Sequence, residues 1–156
     1  MQKLIECVPN FSEGRDQNVI RQITDAIESV VGVSLLDVDP GASTNRTVVT
    51  FVGNPDAAVE AAFRAIEKTA ELIDMRKHKG AHPRMGATDV CPFIPVSNVS
   101  WEEAIECANQ LGKRVGDELK IPVYLYEKAA KNKARSNLAV NSLQLFRRDK
   151  IGRAHV

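Results

Sequence analysis

The segment 77–89 concentrates side chains that can carry charge or move a proton. It contains two imidazoles and three cations: His78, His82, Lys77, Lys79 and Arg84. An imidazole gains and loses its proton near neutral pH, so His82 is a candidate general base. Arg84 can bind a carboxylate through two parallel hydrogen bonds, and the lysines can add positive charge. The segment therefore suits proton transfer on an anionic substrate.

Two other interpretations of this segment compete with catalysis. A cluster of His and Arg in a loop is also what a solvated surface carries, and the residues alone leave that alternative open. A metal site is disfavoured, although His78 and His82 are four residues apart. That spacing needs a helix, and Gly80 and Pro83 disfavour one. We therefore expect no metal.

Polar residues without any period also fill segments 10–14 and 39–46. Each follows a predicted strand, which is where binding loops commonly lie. Asn10, Asp39 and Asn45 are therefore candidate substrate ligands beside Lys77, Lys79 and Arg84. We expect the three polar segments to meet on one side of the fold.

The apolar pattern predicts the elements that position these loops. Short apolar runs predict strands at 4–8, 33–38, 47–52, 90–96 and 121–126. Helical spacing predicts three helices, at 19–31 ending before Gly32, at 55–73 after Asn54, and at 101–115 after Ser100. The order β-α-β-β-α-β-α-β predicts an α+β protein. We expect a mixed sheet with helices mainly on one face, in ferredoxin-like order plus one further α-β unit.

Composition bounds the function classes. The chain has 156 residues, of which 44% are hydrophobic and 26% charged, and this suits one globular domain. The net charge of +1 gives no overall electrostatic attraction to nucleic acid or to an anionic membrane. No apolar run approaches the roughly 20 residues of a membrane helix, and no signal peptide is evident. Three cysteines fit no zinc or disulfide framework. We therefore expect a cytoplasmic protein.

Several blocks of the chain, in this order, resemble the glutamate formimidoyltransferase family. They are 6–14 (ECVPNFSEG), 36–39 (LDVD), 43–48 (STNRTV), 82–87 (HPRMGA), 89–95 (DVCPFIP) and 122–126 (PVYLY). The resemblance covers residues 1–138 and is specific because of the order and spacing of all blocks together. The family often has Glu where this chain has Ala81.

The resemblance implies a definite reaction. Such enzymes move a formimidoyl group from N-formimidoyl-L-glutamate to N5 of tetrahydrofolate, the co-substrate, in histidine degradation. The family's catalytic histidine falls on His82. A metal is not implied. The folate lies between two subdomains, so a C-terminal formiminotransferase subdomain and a homodimer are implied as partners.

The end of the chain departs from the family. Resemblance fades after residue 138, and residues 151–156 correspond to one reading frame of a sequencing adapter. We expect 1–138 to be an N-terminal subdomain and 139–156 to be a degraded or artefactual tail; a natural tail is the alternative. Two further functions stay open: a stand-alone module that binds folate or an acidic ligand, and one subunit of a split transferase.

Overall fold

The computed structural model describes residues 2–81, 86–126 and 142–145. These residues form eight strands: β1 Leu4–Cys7, β2 Asn10–Phe11, β3 Val33–Gly41, β4 Arg46–Gly53, β5 Thr88–Val90, β6 Phe93–Ser97, β7 Val123–Tyr126 and β8 Ser142–Leu145. Three α-helices are α1 Gln17–Glu28, α2 Pro55–Leu72 and α3 Trp101–Arg114, and a π-helical turn Val115–Leu119 follows α3. The α+β class predicted from the sequence is confirmed.

A polar side chain caps the N-terminus of each α-helix. Asp16 accepts hydrogen bonds from the backbone of Asn18 and Val19 at the start of α1. Asn54 accepts from the Ala57 amide, and Pro55 occupies the first turn of α2. These bonds satisfy backbone donors that have no partner inside a helix. The helix starts therefore follow from local sequence.

The strands pair into one sheet around β4. Strand β4 pairs with β3 on one side and with both β1 and β2 on the other. Beyond these, β1 pairs with β6 and β2 with β5, and β8 lies between β5 and β7. The pairings between the described strands are all antiparallel, which corrects the expectation of a mixed sheet on this point.

The core lies between the sheet and the three helices. Alternate residues of β4 are buried, including Val49 and Phe51. They pack with Ile23 of α1, Ile66 of α2 and other buried apolar residues in one cluster. Each fully buried side chain of this size stabilises the fold by roughly 1.5–3 kcal/mol. The core thereby fixes the register that brings the polar segments together.

Two interruptions of the strands differ from the sequence predictions. The predicted strand 90–96 is two strands separated at Cys91 and Pro92, and residues 10–11 are strand β2 rather than part of a turn. The chain between β1 and β2 contains Pro9, whose missing N–H cannot join the ladder. Backbone contacts still cross the break, because the Val8 amide donates to the Pro92 carbonyl at 3.2 Å.

Strand β3 is longer than predicted. It runs to Gly41, so Asp39 lies on a strand, paired with Val48, and not in a loop. Pro40 is accommodated because β3 pairs only with β4 among the described strands, and proline is tolerated on edge strands. Helix α1 is shorter than predicted: it ends at Glu28, and Val31 is 95% exposed in the following turn.

Strand β8 was not predicted from the sequence. It lies within the segment 139–156 that we expected to be a tail, and it pairs with β5 and β7. The remaining residues of that segment lie outside the described residues, so the boundary at residue 138 stays a prediction. Within the part of the chain that the structure describes, no helix is long and apolar enough to cross a membrane.

Candidate functional site

The turn after β2 packs tightly against the loop before β4. The Gly14 amide donates to Asn45 Oδ1 at 2.9 Å, and the Thr47 hydroxyl donates to the Glu13 carbonyl. A Cβ at position 14 would lie 2.2 Å from the Gly41 carbonyl oxygen. Only glycine allows this approach, so the two segments are joined at backbone distance.

The same loop holds the chain that leads into residue 82. Asn45 Nδ2 donates to the Lys79 carbonyl at 3.0 Å, and the Ala81 amide donates to the Ser43 carbonyl at 3.1 Å. His78 Nε2 lies 2.9 Å from the Asn45 carbonyl oxygen. A carbonyl only accepts, so this ring nitrogen carries the proton. Residues 78–81 are therefore attached to residues 43–45 at three points.

The chain that follows residue 85 is attached to the turn after β2. The Ser12 amide donates to the Ala87 carbonyl at 2.8 Å, and the Ser12 hydroxyl donates to the Gly86 carbonyl at 2.7 Å. Arg46 Nη2 lies 3.9 Å from Asp89 Oδ2, and both side chains are largely buried. The residues directly before and after the segment 82–85, Ala81 and Gly86, are thus each attached to one of the other two polar segments.

We call this group of contacts the loop junction. It comprises residues 12–14, 42–46, 78–81 and 86–89. The expectation that the three polar segments meet is confirmed for their described residues. His82 and Arg84 lie outside the described residues, so their roles stay predictions.

The other predicted ligands differ in exposure. Asp39, Lys77 and Lys79 are exposed, and a substrate can reach their charged groups. Asn10 is 9% exposed, and its Nδ2 donates to the Val8 carbonyl at 3.0 Å. Asn45 is 8% exposed, with both ends of its carboxamide bonded to the backbone. The two asparagines are thus engaged within the protein.

The positive charge of Arg76, directly before the segment 77–89, is offset by Asp74. Arg76 forms a fork with Asp74, with both oxygens accepting at 2.9 Å. Hydrogen bonds from the Arg76 side chain and backbone lower the pKa of Asp74 to about 2. This carboxylate is therefore ionised at neutral pH and balances the charge of Arg76.

Sequence reasoning missed three residues of the loop junction, Ser12, Arg46 and Asp89, and the neighbouring Thr47. All four lie in the blocks that carry the family resemblance, which was the available signal. Their types did not single them out, because hydroxyls and single charges are common in turns. Among the described residues, no group of three or more His, Cys, Asp or Glu side chains could hold a metal ion.

Comparison with known proteins identifies the family. The chain belongs to the formiminotransferase family: the family described as "Formiminotransferase domain, N-terminal subdomain" matches residues 4–151. The recognition made from the sequence blocks is therefore confirmed. The match extends beyond residue 138, the position after which the resemblance of the sequence motifs fades.

Curated relatives agree with the family. A glutamate formimidoyltransferase of Thermoplasma acidophilum is 50% identical over 151 residues, which are 97% of this chain and 50% of that protein. The formimidoyltransferase-cyclodeaminase of Gallus gallus is 58% identical over 138 residues, 88% of this chain and 26% of that protein. The enzyme of that name from Dictyostelium discoideum is 56% identical over the same length. The chain thus spans about half of the glutamate formimidoyltransferase and about a quarter of the two formimidoyltransferase-cyclodeaminases.

Proposed function

We propose that this chain is the N-terminal half of a glutamate formimidoyltransferase. The reaction moves the formimidoyl group of N-formimidoyl-L-glutamate to N5 of tetrahydrofolate, a step of histidine degradation. The observation that carries the proposal is the loop junction, which attaches the residues on either side of the segment 82–85 to two further family blocks. Relatives named for this transfer support it.

His82 is the proposed general base. Attack of N5 on the amidine carbon gives a tetrahedral intermediate, and the N5 proton must leave as the new C–N bond forms. The departing glutamate nitrogen must gain a proton as the old C–N bond breaks. One imidazole performs both transfers in turn, because its pKa lies near neutral pH. Tetrahydrofolate is a co-substrate here, and the reaction needs no metal.

Charged groups around the loop junction are the proposed substrate ligands. Lys77 and Lys79 are exposed cations next to the segment that carries Arg84, and they suit the carboxylates of glutamate and of the folate tail. Asp39 is exposed on β3 and suits the cationic amidine or the His82 ring. Asn10 and Asn45 are further candidate ligands, and the side chain of each also bonds the backbone.

A second half is the proposed partner. The chain spans 50% of the Thermoplasma acidophilum relative, so a segment of similar size completes that protein. We propose that this C-terminal subdomain covers the folate, and that the complete enzyme is a homodimer. The three cysteines Cys7, Cys91 and Cys107 are free, which suits a reducing compartment such as the cytoplasm.

Complementation tests the proposal. The purified chain, the remaining half of the Thermoplasma acidophilum relative, and their mixture are assayed for formation of 5-formimidoyltetrahydrofolate. Half a site offers fewer contacts for the same entropic cost of binding, so each half alone should show little transfer. The mixture should turn over. A mixture that binds tetrahydrofolate without transfer favours a binding module, and normal turnover by this chain alone makes the second half dispensable.

A further inference from the structure

Asn45 has a backbone conformation that few side chains tolerate. Its φ is 51°, in the left-handed region, and its side chain is almost fully buried. Asparagine enters this region more readily than other residues with a Cβ. The conformation turns the chain at the end of the loop 42–46 and directs the carboxamide into the protein.

The two ends of the carboxamide bond two different segments. Oδ1 accepts from the Gly14 amide, 31 residues away in sequence, and Nδ2 donates to the Lys79 carbonyl, 34 residues away. An amide donor requires the oxygen and a carbonyl requires the nitrogen, so the partners fix the orientation of the group. Asn45 therefore links the turn after β2 to the chain that leads into residue 82.

Backbone groups of the same loop strengthen this link. His78 donates to the Asn45 carbonyl, and the Ala81 amide bonds the Ser43 carbonyl. Ala81 is the residue directly before His82. The Asn45 side chain thus bonds a residue three positions before the predicted base in the sequence, without belonging to that segment.

We propose that Asn45 is a positioning residue, whose side chain sets the place of residues 78–81, the residues that directly precede the proposed base His82 in the sequence. The inference rests on the proposed function, since it assigns the purpose of the contact to transfer. Misplacement of a reacting group by about 1 Å can cost about 10²-fold in rate, so one side-chain hydrogen bond is enough to matter.

Two substitutions separate the bonds of Asn45. Asn45→Gly keeps the left-handed backbone and removes the side-chain bonds to Gly14 and Lys79. Asn45→Asp keeps the acceptor for Gly14, removes the donor to Lys79, and places a carboxylate against its carbonyl. The control is Asn98→Gly, because Asn98 also has a positive φ, 54°, and its Nδ2 donates to the Gln2 carbonyl at 2.9 Å.

The first readout is amide hydrogen exchange of the 156-residue chain, which needs no activity. The Ala81 amide bonds the Ser43 carbonyl and not Asn45, so its exchange reports how firmly the segment 78–81 is held against the loop before β4. We expect Ala81 to exchange about tenfold faster in both Asn45 variants, because local opening controls exchange, and to be unchanged in Asn98→Gly. Gly14 should stay protected in Asn45→Asp, which also shows that the variant folds. Unchanged exchange of Ala81 in both variants overturns the proposal.

The second readout is steady-state transfer by the complemented enzyme. A positioning role predicts that Asn45→Gly lowers kcat about 10–100-fold and changes the KM for N-formimidoyl-L-glutamate little, since only the base is displaced. A raised KM with unchanged kcat overturns the proposal in favour of a direct substrate contact. If the unsubstituted mixture shows no transfer, the proposed function fails, while the exchange of Ala81 still decides whether Asn45 positions the segment.

Discussion

Asn45 Oδ1 lies 2.9 Å from the Gly14 amide nitrogen, although the two residues belong to different connections of the fold. The contact depends on the absence of a side chain at position 14, where a Cβ would lie 2.5 Å from the Arg46 amide nitrogen. Two backbones and one buried carboxamide therefore meet in a space that only glycine leaves open. The loop junction rests on this contact.

Gly14→Ala should destabilise the chain. The new Cβ meets backbone atoms of Gly41 and Arg46, which cannot move aside as a flexible side chain can. We expect the free energy of unfolding to fall by about 1–3 kcal/mol, the usual range for overpacking. Urea unfolding measures the change. The control is Gly116→Ala, where an added Cβ meets nothing within 4 Å. Equal midpoints for the two variants would contradict the packing described.

The local parts of the fold could be predicted from the sequence, and the long-range parts could not. The caps at Asn54 and Ser100 are read from residues within three positions of the helix start. The role of Asn45 depends on partners 31 and 34 residues away, which no local pattern reveals. Strand β8 was missed for the same reason, since its pairing with β5 joins residues that are distant in the sequence. The three polar segments of the candidate site were located from their residue types and lack of a period, and the family blocks supplied the catalytic role of His82.

The three thiols should be unreactive in the folded chain. Cys7 and Cys91 are buried with their sulfur atoms 3.5 Å apart, and Cys107 is 4% exposed. Burial, and then the contact with Cys91, raises the pKa of Cys7, and burial raises that of Cys107 to about 11. The reactive thiolates of Cys7 and Cys107 are therefore scarce at mildly alkaline pH, and burial shields Cys91 from reagents.

Reaction with a chromogenic disulfide reagent measures this protection. We expect slow labelling of the native chain and three equivalents in concentrated guanidinium chloride. Glu102→Cys supplies an exposed thiol on α3 as the positive control, because Glu102 is exposed. Labelling of Cys7 or Cys91 in the native chain as fast as the control thiol would show that these two thiols are not buried as described.

The contact between α2 and α3 should respond to pH. Arg114 Nη1 donates to Glu60 at 2.6 Å, and its guanidinium lies 3.9 Å from the Phe63 ring centre. Hydrogen bonding to Arg114 lowers the pKa of Glu60 from its ordinary value of 4.5. Burial acts in the opposite direction and is the weaker effect. A lowered folded-state pKa stabilises the fold above pH 4.5, and the contribution is lost as pH falls through the lower value.

Arg114→Met tests this contact. It should lower the free energy of unfolding by about 1 kcal/mol near neutral pH, from a partly exposed ion pair and a cation–π contact. The difference from the unsubstituted chain should shrink as pH falls below 4.5. Lys68→Met is the control, since Lys68 pairs with Glu71 at 3.4 Å on the surface and should change stability by less than about 0.5 kcal/mol. A difference that grows at low pH would contradict the assignment.

Transfer by the complemented enzyme with His82→Ala tests the central claim most directly. Loss of a general acid–base group should lower kcat about 10²–10⁴-fold. The unfolding midpoint of the chain should change little, because loop side chains seldom contribute more than about 0.5 kcal/mol. That combination is the result that the account predicts. A His82→Ala enzyme that transfers the formimidoyl group at the unsubstituted rate would contradict it, since the loop junction would then not position a catalytic base.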